Sequence, residues 1–275
     1  MQHTKLLYAG ESNVGFQRGV NEDYMTIKEL DEETVIAIVA DGAGSTGSTF
    51  QPAIMAAMEV QRVVERLFTE HKDVFLENTE IFLEEAMRTA GRVLGSFQTA
   101  NEELYNGYAA SMACCLIRNT NVGDELVFAH TGNTRINLIR RNKKTNEVQI
   151  KLLTKDQTEG QKLMDEGKCT FEEYHLRPER LIITGGLGVV AVPEIQTYRM
   201  PLREHDFVLM TTDGIHCAIR PDAILTLLQH CQTIEEGPKT LIAAAKELEY
   251  ADNMSAVLFW NSTIPDAKEE NTNAS

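Results

Sequence analysis

The 275 residues carry 43% hydrophobic and 24% charged side chains, enough for one large domain or two small ones with a real core. A net charge of −15 argues against nucleic acid or an anionic membrane as partner, and an anionic substrate would be repelled unless bound cations reverse the local field. Five cysteines, odd in number and without C-x-x-C spacing, read as reduced thiols of a cytoplasmic protein rather than a disulfide frame or zinc site.

The opening residues lead into too few apolar side chains for a signal peptide, and no run reaches membrane-spanning length. In chain order, strands are predicted at Lys5–Ala9, around Val14–Gln17, at Tyr24–Lys28 and at Val35–Ala40. Two helical patterns follow. The first, about Pro52–Glu70, gathers Ile54, Met58, Val60, Val63, Val64, Leu67 and Phe68 on one face; the second runs about Glu80–Leu104. Strands resume at Ala110–Arg118, Glu125–His130, Arg135–Arg141 and Val148–Leu153, joined by polar turn-like segments.

Residues 156–180 are polar and helix-prone and read as an insert over the sheet, with Thr170 and Glu173 spaced as a capping box. Further strands are predicted at Leu181–Thr184, Glu194–Met200 and Phe207–Thr212, then helices at Pro221–His230 and Pro238–Tyr250, and a last strand at Met254–Trp260. Strands come in neighbouring runs separated by paired helices, which argues for antiparallel sheets with helices packed on them, an α+β arrangement. With no internal repeat and no linker, one domain over residues 1–264 is expected, followed by a polar, disordered tail over 265–275.

Gly42-Ala43-Gly44-Ser45-Thr46-Gly47 follows a strand, precedes a helix and matches the dinucleotide fingerprint G-x-G-x-x-G. Asp41 would then face a pyrophosphate, and no second parallel strand ending in an acid follows at the required distance. A nucleotide-binding oxidoreductase is therefore the weaker reading. The stronger signal is carboxylate. Two buried-strand patterns end in the same dipeptide, Asp41-Gly42 and Asp213-Gly214, and Asp23 and Asp252 also sit at strand edges. Each alone could be a turn residue. Converged, they would make an oxygen-only site with the Gly42 carbonyl, suited to Mg²⁺ or Mn²⁺ rather than zinc. Acids held so close would need cations to offset their repulsion.

The ordered segments Ser12-Asn13-Val14-Gly15 with Arg18, Asn21-Glu22-Asp23, Val39–Gly44, Thr131–Arg135, Leu153–Asp156, Thr184–Gly188, Thr212-Asp213-Gly214 and Asp252-Asn253-Met254 resemble the protein phosphatase 2C family over about residues 9 to 260. The resemblance implies an αββα sandwich, two packed antiparallel β-sheets flanked by pairs of helices. It implies a metal-dependent phosphatase acting on phosphoserine and phosphothreonine of proteins, opposing a Ser/Thr kinase, by a water activated between two Mn²⁺ or Mg²⁺ ions. On that likeness Asp41 bridges the ions, Gly42 offers its carbonyl to one, and Asp213 and Asp252 hold the other. Asp23 binds through water, Glu22 and Asn253 give support, and Arg18 clamps the phosphate. Residues 156–180 correspond to the family's flap. Asn133 and Cys217 stand where acids of a third, weaker metal site are common, so the likeness extends to two ions and not to a third. Ala43 stands where some members carry a histidine proposed as general acid. His216 could substitute, although a strand-to-helix packing role suits it better. The remaining alternative is a pseudophosphatase or regulatory binding module that keeps the fold without turnover.

Overall fold

The computed structural model describes residues 4–44, 51–100, 107–120, 123–250 and 252–263. Its strands are β1 (Thr4–Asn13), β2 (Asp23–Glu29), β3 (Thr34–Ala43), β4 (Ala109–Thr120), β5 (Gly123–Thr131), β6 (Arg135–Arg141), β7 (Val148–Leu152), β8 (Gln196–Leu202), β9 (Phe207–Thr211) and β10 (Met254–Thr263). Two long helices, α1 (Pro52–Glu77) and α2 (Thr79–Ala100), join β3 to β4. Between β7 and β8 lie α3 (Glu159–Asp165), α4 (Phe171–Tyr174) and a 3-10 turn at Pro178–Leu181. The chain ends through α5 (Asp213–His216), α6 (Pro221–Gln229) and α7 (Glu236–Glu247) before β10.

The strands form two five-stranded sheets, ordered β1-β10-β9-β6-β7 and β2-β3-β4-β5-β8. Every strand ladder among the described residues is antiparallel. This is the expected α+β sandwich. It also removes the dinucleotide reading, because Gly42 lies inside an antiparallel ladder opposite Ala110.

The continuous apolar runs follow from strands covered on both faces. In β3, Ile36, Ile38 and Ala40 pack under α1 and α2, whereas Val35, Ala37 and Val39 meet the opposing sheet. In β9, Val208 and Met210 face the inter-sheet core while Leu209 meets the layer of α6 and α7. Each such valine, isoleucine, leucine or methionine side chain contributes about 2 kcal/mol of burial.

Several expectations need correction. Val14–Gln17 is a turn, not a strand: Gly15 has φ +78 and its amide bonds the Asn13 side chain at 3.1 Å. Leu181–Thr184 is no strand either, since the Pro178 turn leaves only a single bridge between Ile183 and Thr158. Helix α1 runs on to Glu77 through a break in its geometry at His71. Met58 points outward at 59% exposed, whereas Val60, Val63, Val64 and Phe68 pack inward as expected, joined by Ala53, Ala56 and Ala57. The second helix is described only to Ala100; its expected last residues, and the tail from Pro265, lie outside the described residues. Among the described residues no helix is long and apolar enough to cross a membrane.

Candidate functional site

The β2–β3 register sets Asp23 directly opposite Asp41. Asp213 opens α5 just past the end of β9, and Asp252 stands before β10, two strands paired side by side in the other sheet. The sandwich thus brings one end of each sheet together, and all four predicted acids with it. Asp23 and Asp213 are buried and Asp41 is half-buried.

Backbone and hydroxyl groups set this geometry. Thr212 donates its hydroxyl to Asp23 Oδ2 at 2.7 Å and accepts the Ser255 amide at 2.9 Å, tying the two sheets at the site. Asn253 Oδ1 accepts the Glu22 amide at 2.8 Å, and its Nδ2 donates to the carbonyls of Val14 and Val20 at 2.8 and 3.0 Å. That one side chain holds both ends of the loop bearing Arg18. The Glu22 carbonyl in turn accepts the Gly42 amide at 3.2 Å. Ser255 carries no signal of its own as an ordinary strand residue, and Thr212, the cap before α5, stands in the sequence only as the neighbour of Asp213; the pairing of β9 with β10 gives both a role.

The electrostatics are those of crowded like charges. Burial, then the carboxylates of Asp213 and Asp252, push Asp23 up to about 8 against the hydrogen bonds from Thr212 and Ser255. Burial and the other three acids raise Asp41 well above the usual range, with Arg18 relieving part of it. Burial and Asp252 lift Asp213 to about 6, eased by the Asn133 amide. Arg18 Nη2 pairs with Asp252 Oδ1 at 3.0 Å. Among the described residues, no three His, Cys, Asp or Glu side chains close into a preformed cage. Mutually repelling carboxylates that supply only oxygen nonetheless suit hard divalent cations, and the donor set fits them.

The positions that depart from the family pattern are filled by neutral contacts. Asn133 is buried and donates Nδ2 to Asp213 Oδ2 at 3.0 Å, while its Oδ1 has no hydrogen-bond partner. Cys217 is half-buried, its thiol pushed up to about 12 by burial and by Asp213. Its carbonyl accepts Arg180 Nη1 at 3.3 Å, so the insert delivers a cation beside Asp213. His216 is buried, shares a 2.9 Å hydrogen bond with Thr211 Oγ1 and is held well below its ordinary pKa by burial and Arg135. It is a neutral packing residue, as expected.

The insert is anchored by residues not singled out from the sequence. Arg135 of β6 holds Asp156 through two bonds of 3.0 and 2.6 Å, and Tyr174 of α4 donates to the same carboxylate at 2.5 Å. The capping box is present: Thr170 N reaches Glu173 Oε2 at 2.8 Å and Glu173 N reaches Thr170 Oγ1 at 3.2 Å.

Gly214 offers a direct check on this geometry. A Cβ there would lie 1.8 Å from the Asn253 carbonyl oxygen, a backbone atom with nowhere to retreat. Gly214→Ala is expected to cost about 3 kcal/mol and to reduce any Mn²⁺-dependent rise in melting temperature, both measured by thermal denaturation.

An antiparallel αββα sandwich with crowded acids at the meeting ends of its sheets defines a class of metal-dependent hydrolase. The family model described as protein phosphatase 2C matches residues 17–249, and the chain belongs to that family. The serine/threonine phosphatase stp of Listeria monocytogenes serovar 1/2a is 25% identical over 244 residues, spanning 86% of this chain and 89% of its own. Among solved structures, serine/threonine phosphatase Stp1 from Staphylococcus aureus superposes with a TM-score of 0.80 at 23% identity, covering 96% of this chain and 97% of that one. The catalytic domain of the serine threonine protein phosphatase PstP in complex with 2 manganese ions gives a TM-score of 0.71 at 24% identity, covering 93% and 97%. These structural likenesses show the fold.

Proposed function

We propose that the chain hydrolyses phosphoserine and phosphothreonine on proteins, and that Asp23, Asp41, the Gly42 carbonyl, Asp213 and Asp252 would hold two divalent cations, Mn²⁺ or Mg²⁺. The observation that carries this is the convergence, from separate elements, of four carboxylates, with Asp23, Asp41 and Asp213 raised by burial and by the charges of their neighbours, Asp252 among them. Such ions, when bound, supply the Lewis acidity that makes water nucleophilic near neutral pH and offsets charge on phosphoryl oxygens.

The chain's own residues do the rest. Arg18 is the phosphate clamp, a planar donor suited to two oxygens; its present partner is Asp252, which it would share with or yield to an incoming phosphate. Glu22 and Asn253 support from behind, the latter by fixing the Arg18 loop. Cys217 stays protonated at neutral pH, which disfavours a sulfur nucleophile. His216, bonded to Thr211 and held neutral by burial, is not the imidazolium that would protonate a leaving group. Residues 1–264 act on this reading as one catalytic unit with 156–180 as a flap, on phosphoproteins modified by a Ser/Thr kinase in the cytoplasm.

The test is hydrolysis of an aryl phosphate and of a phosphothreonine peptide, with Mn²⁺, without it, and with EDTA. Turnover that requires the metal and stops with EDTA is expected. Binding of Mn²⁺ without turnover would instead favour the regulatory module, for which the neutral Asn133 and Cys217 speak.

A further inference from the structure

At the edge away from the acids, the sandwich opens into a groove of about 880 Å³. Strand β7 ends one sheet and β8 ends the other, so both present an unpaired strand edge among the described residues. Into this groove face Arg140, Arg141, Lys143, Lys144, Lys151 and Arg203. That concentration of cations stands out in a chain with 26 basic and 41 acidic residues. Asp206 engages Arg140 at 2.8 and 2.5 Å, and Glu204 lines the adjoining hollow with Asp206. Lys143, Lys144 and Lys151 are solvent-exposed.

The floor is apolar. Tyr198 and Met200 of β8 lie on the same sheet face as the inter-sheet core, Tyr198 against Phe128, yet Tyr198 is 56% exposed. On β7 the alternation is equally plain: Val148 and Ile150 pack toward the helices while Gln149 and Lys151 are exposed at the groove.

We propose that this groove docks an extended, acidic segment of the phosphoprotein substrate, which adds as a strand to the β7 edge. The identity of that partner rests on the phosphatase reading; the acidic-strand specificity rests on the groove alone. A lysine on a strand edge ordinarily guards against indiscriminate pairing. The five cations beside the Asp206-paired Arg140 do more, since they penalise a neutral or basic strand and reward an acidic one. Main-chain bonding along an edge gives affinity, and the side chains on alternate positions give selectivity. A nucleic acid suits the groove less, because the chain's net charge of −15 repels a long polyanion beyond it. Strand β6 links groove to site: it starts two residues after Asn133, which bonds Asp213, and ends at Arg141 in the groove, a span of roughly 20 Å along an extended strand.

The probe is a fluorescent, unphosphorylated peptide of alternating glutamate and valine, titrated against the full chain by anisotropy. Binding that weakens with added salt is expected, as is slowed amide hydrogen exchange at Val148–Leu152. Combined Lys143→Glu, Lys144→Glu and Lys151→Glu should weaken it at least roughly tenfold, leaving aryl phosphate hydrolysis within about twofold. The milder triple alanine variant should fall between. Fusing the acidic segment to a phosphothreonine peptide should lower KM without changing kcat, and only in the unmutated chain. Equal binding by the charge-reversed variant, unchanged exchange at β7, or tighter binding of a single-stranded oligonucleotide overturns the proposal. So does peptide binding that emerges only after removal of residues 264–275, which would assign the groove to the chain's own tail. Peptide binding without any phosphatase turnover leaves the acidic-strand groove standing and removes the phosphatase reading.

Discussion

Asp41→Asn is expected to raise the melting temperature of the metal-free chain while lowering turnover at least roughly 1,000-fold. The two effects have one origin. At neutral pH an ionised Asp41 is opposed by desolvation and by Asp213, Asp23 and Asp252, so a neutral isostere relieves repulsion the fold otherwise carries. The same removal takes away the ligand that would hold both cations, and a loss of several kcal/mol of transition-state stabilisation is a factor of about ten for each 1.4 kcal/mol. A third readout does not depend on activity. Mn²⁺ at a hundredfold over its Kd should stabilise the unmutated chain by about 2.7 kcal/mol, or roughly 5–10 °C, and the variant by far less. Thermal scans with and without Mn²⁺ beside a turnover assay give all three. An Asp41→Asn chain that keeps its Mn²⁺ shift and its turnover would refute the assignment of the site.

Asp156→Asn is expected to destabilise the protein by about 3–5 kcal/mol, whereas Arg135→Met combined with Asp156→Leu should recover most of that loss. Both side chains are buried, and the single change leaves the Arg135 guanidinium without its countercharge. The pH dependence is fixed by the same pair. Burial alone would raise Asp156, but the charge and hydrogen bonds of Arg135 outweigh it and hold the carboxyl down to about 2. Its folded value lies below the unfolded one near 4, so this stabilisation is complete above about pH 4 and is lost as pH falls toward 2. Urea titrations across that window should show the acid-side fall in the unmutated chain and a shallower one in the double variant. Because Tyr174 shares the carboxylate, amide exchange in α4 should quicken in Asp156→Asn before the sheets open.

The strands were legible where both faces are covered. Val35–Ala40 and Phe207–Thr212 read as β because their apolar side chains alternate between two covered layers, and the second ends one residue short of its expected bound, at Thr211. Failures came where one residue overrules its neighbours. Gly15 turns Val14–Gln17 with a positive φ, and Pro178 starts a 3-10 turn that consumes Leu181. The family's acids could be named from motif order, but their convergence could not, because it depends on the Asp23–Asp41 register and on the pairing of β9 with β10. The Arg135–Asp156–Tyr174 cluster was hidden for a related reason. Asp156 and Tyr174 are 18 residues apart with no local period between them, so only the folded insert shows that they meet.

The Asn253 amide that holds the Arg18 loop reaches Val14 across 239 residues of sequence, and β1 pairs along its length with β10. A chain leaving the ribosome makes β1 first and its only ladder partner among the described strands last. The adjoining strands β2 to β5 can form most of their sheet early, with Asp23 and Asp41 already in register. Asp252, Asn253 and the fixed Arg18 loop arrive only when synthesis has nearly passed the last strand. Assembly of the centre therefore waits for the synthesis of β10, and a nascent chain stopped before Asp213 carries half of its acids without the other half.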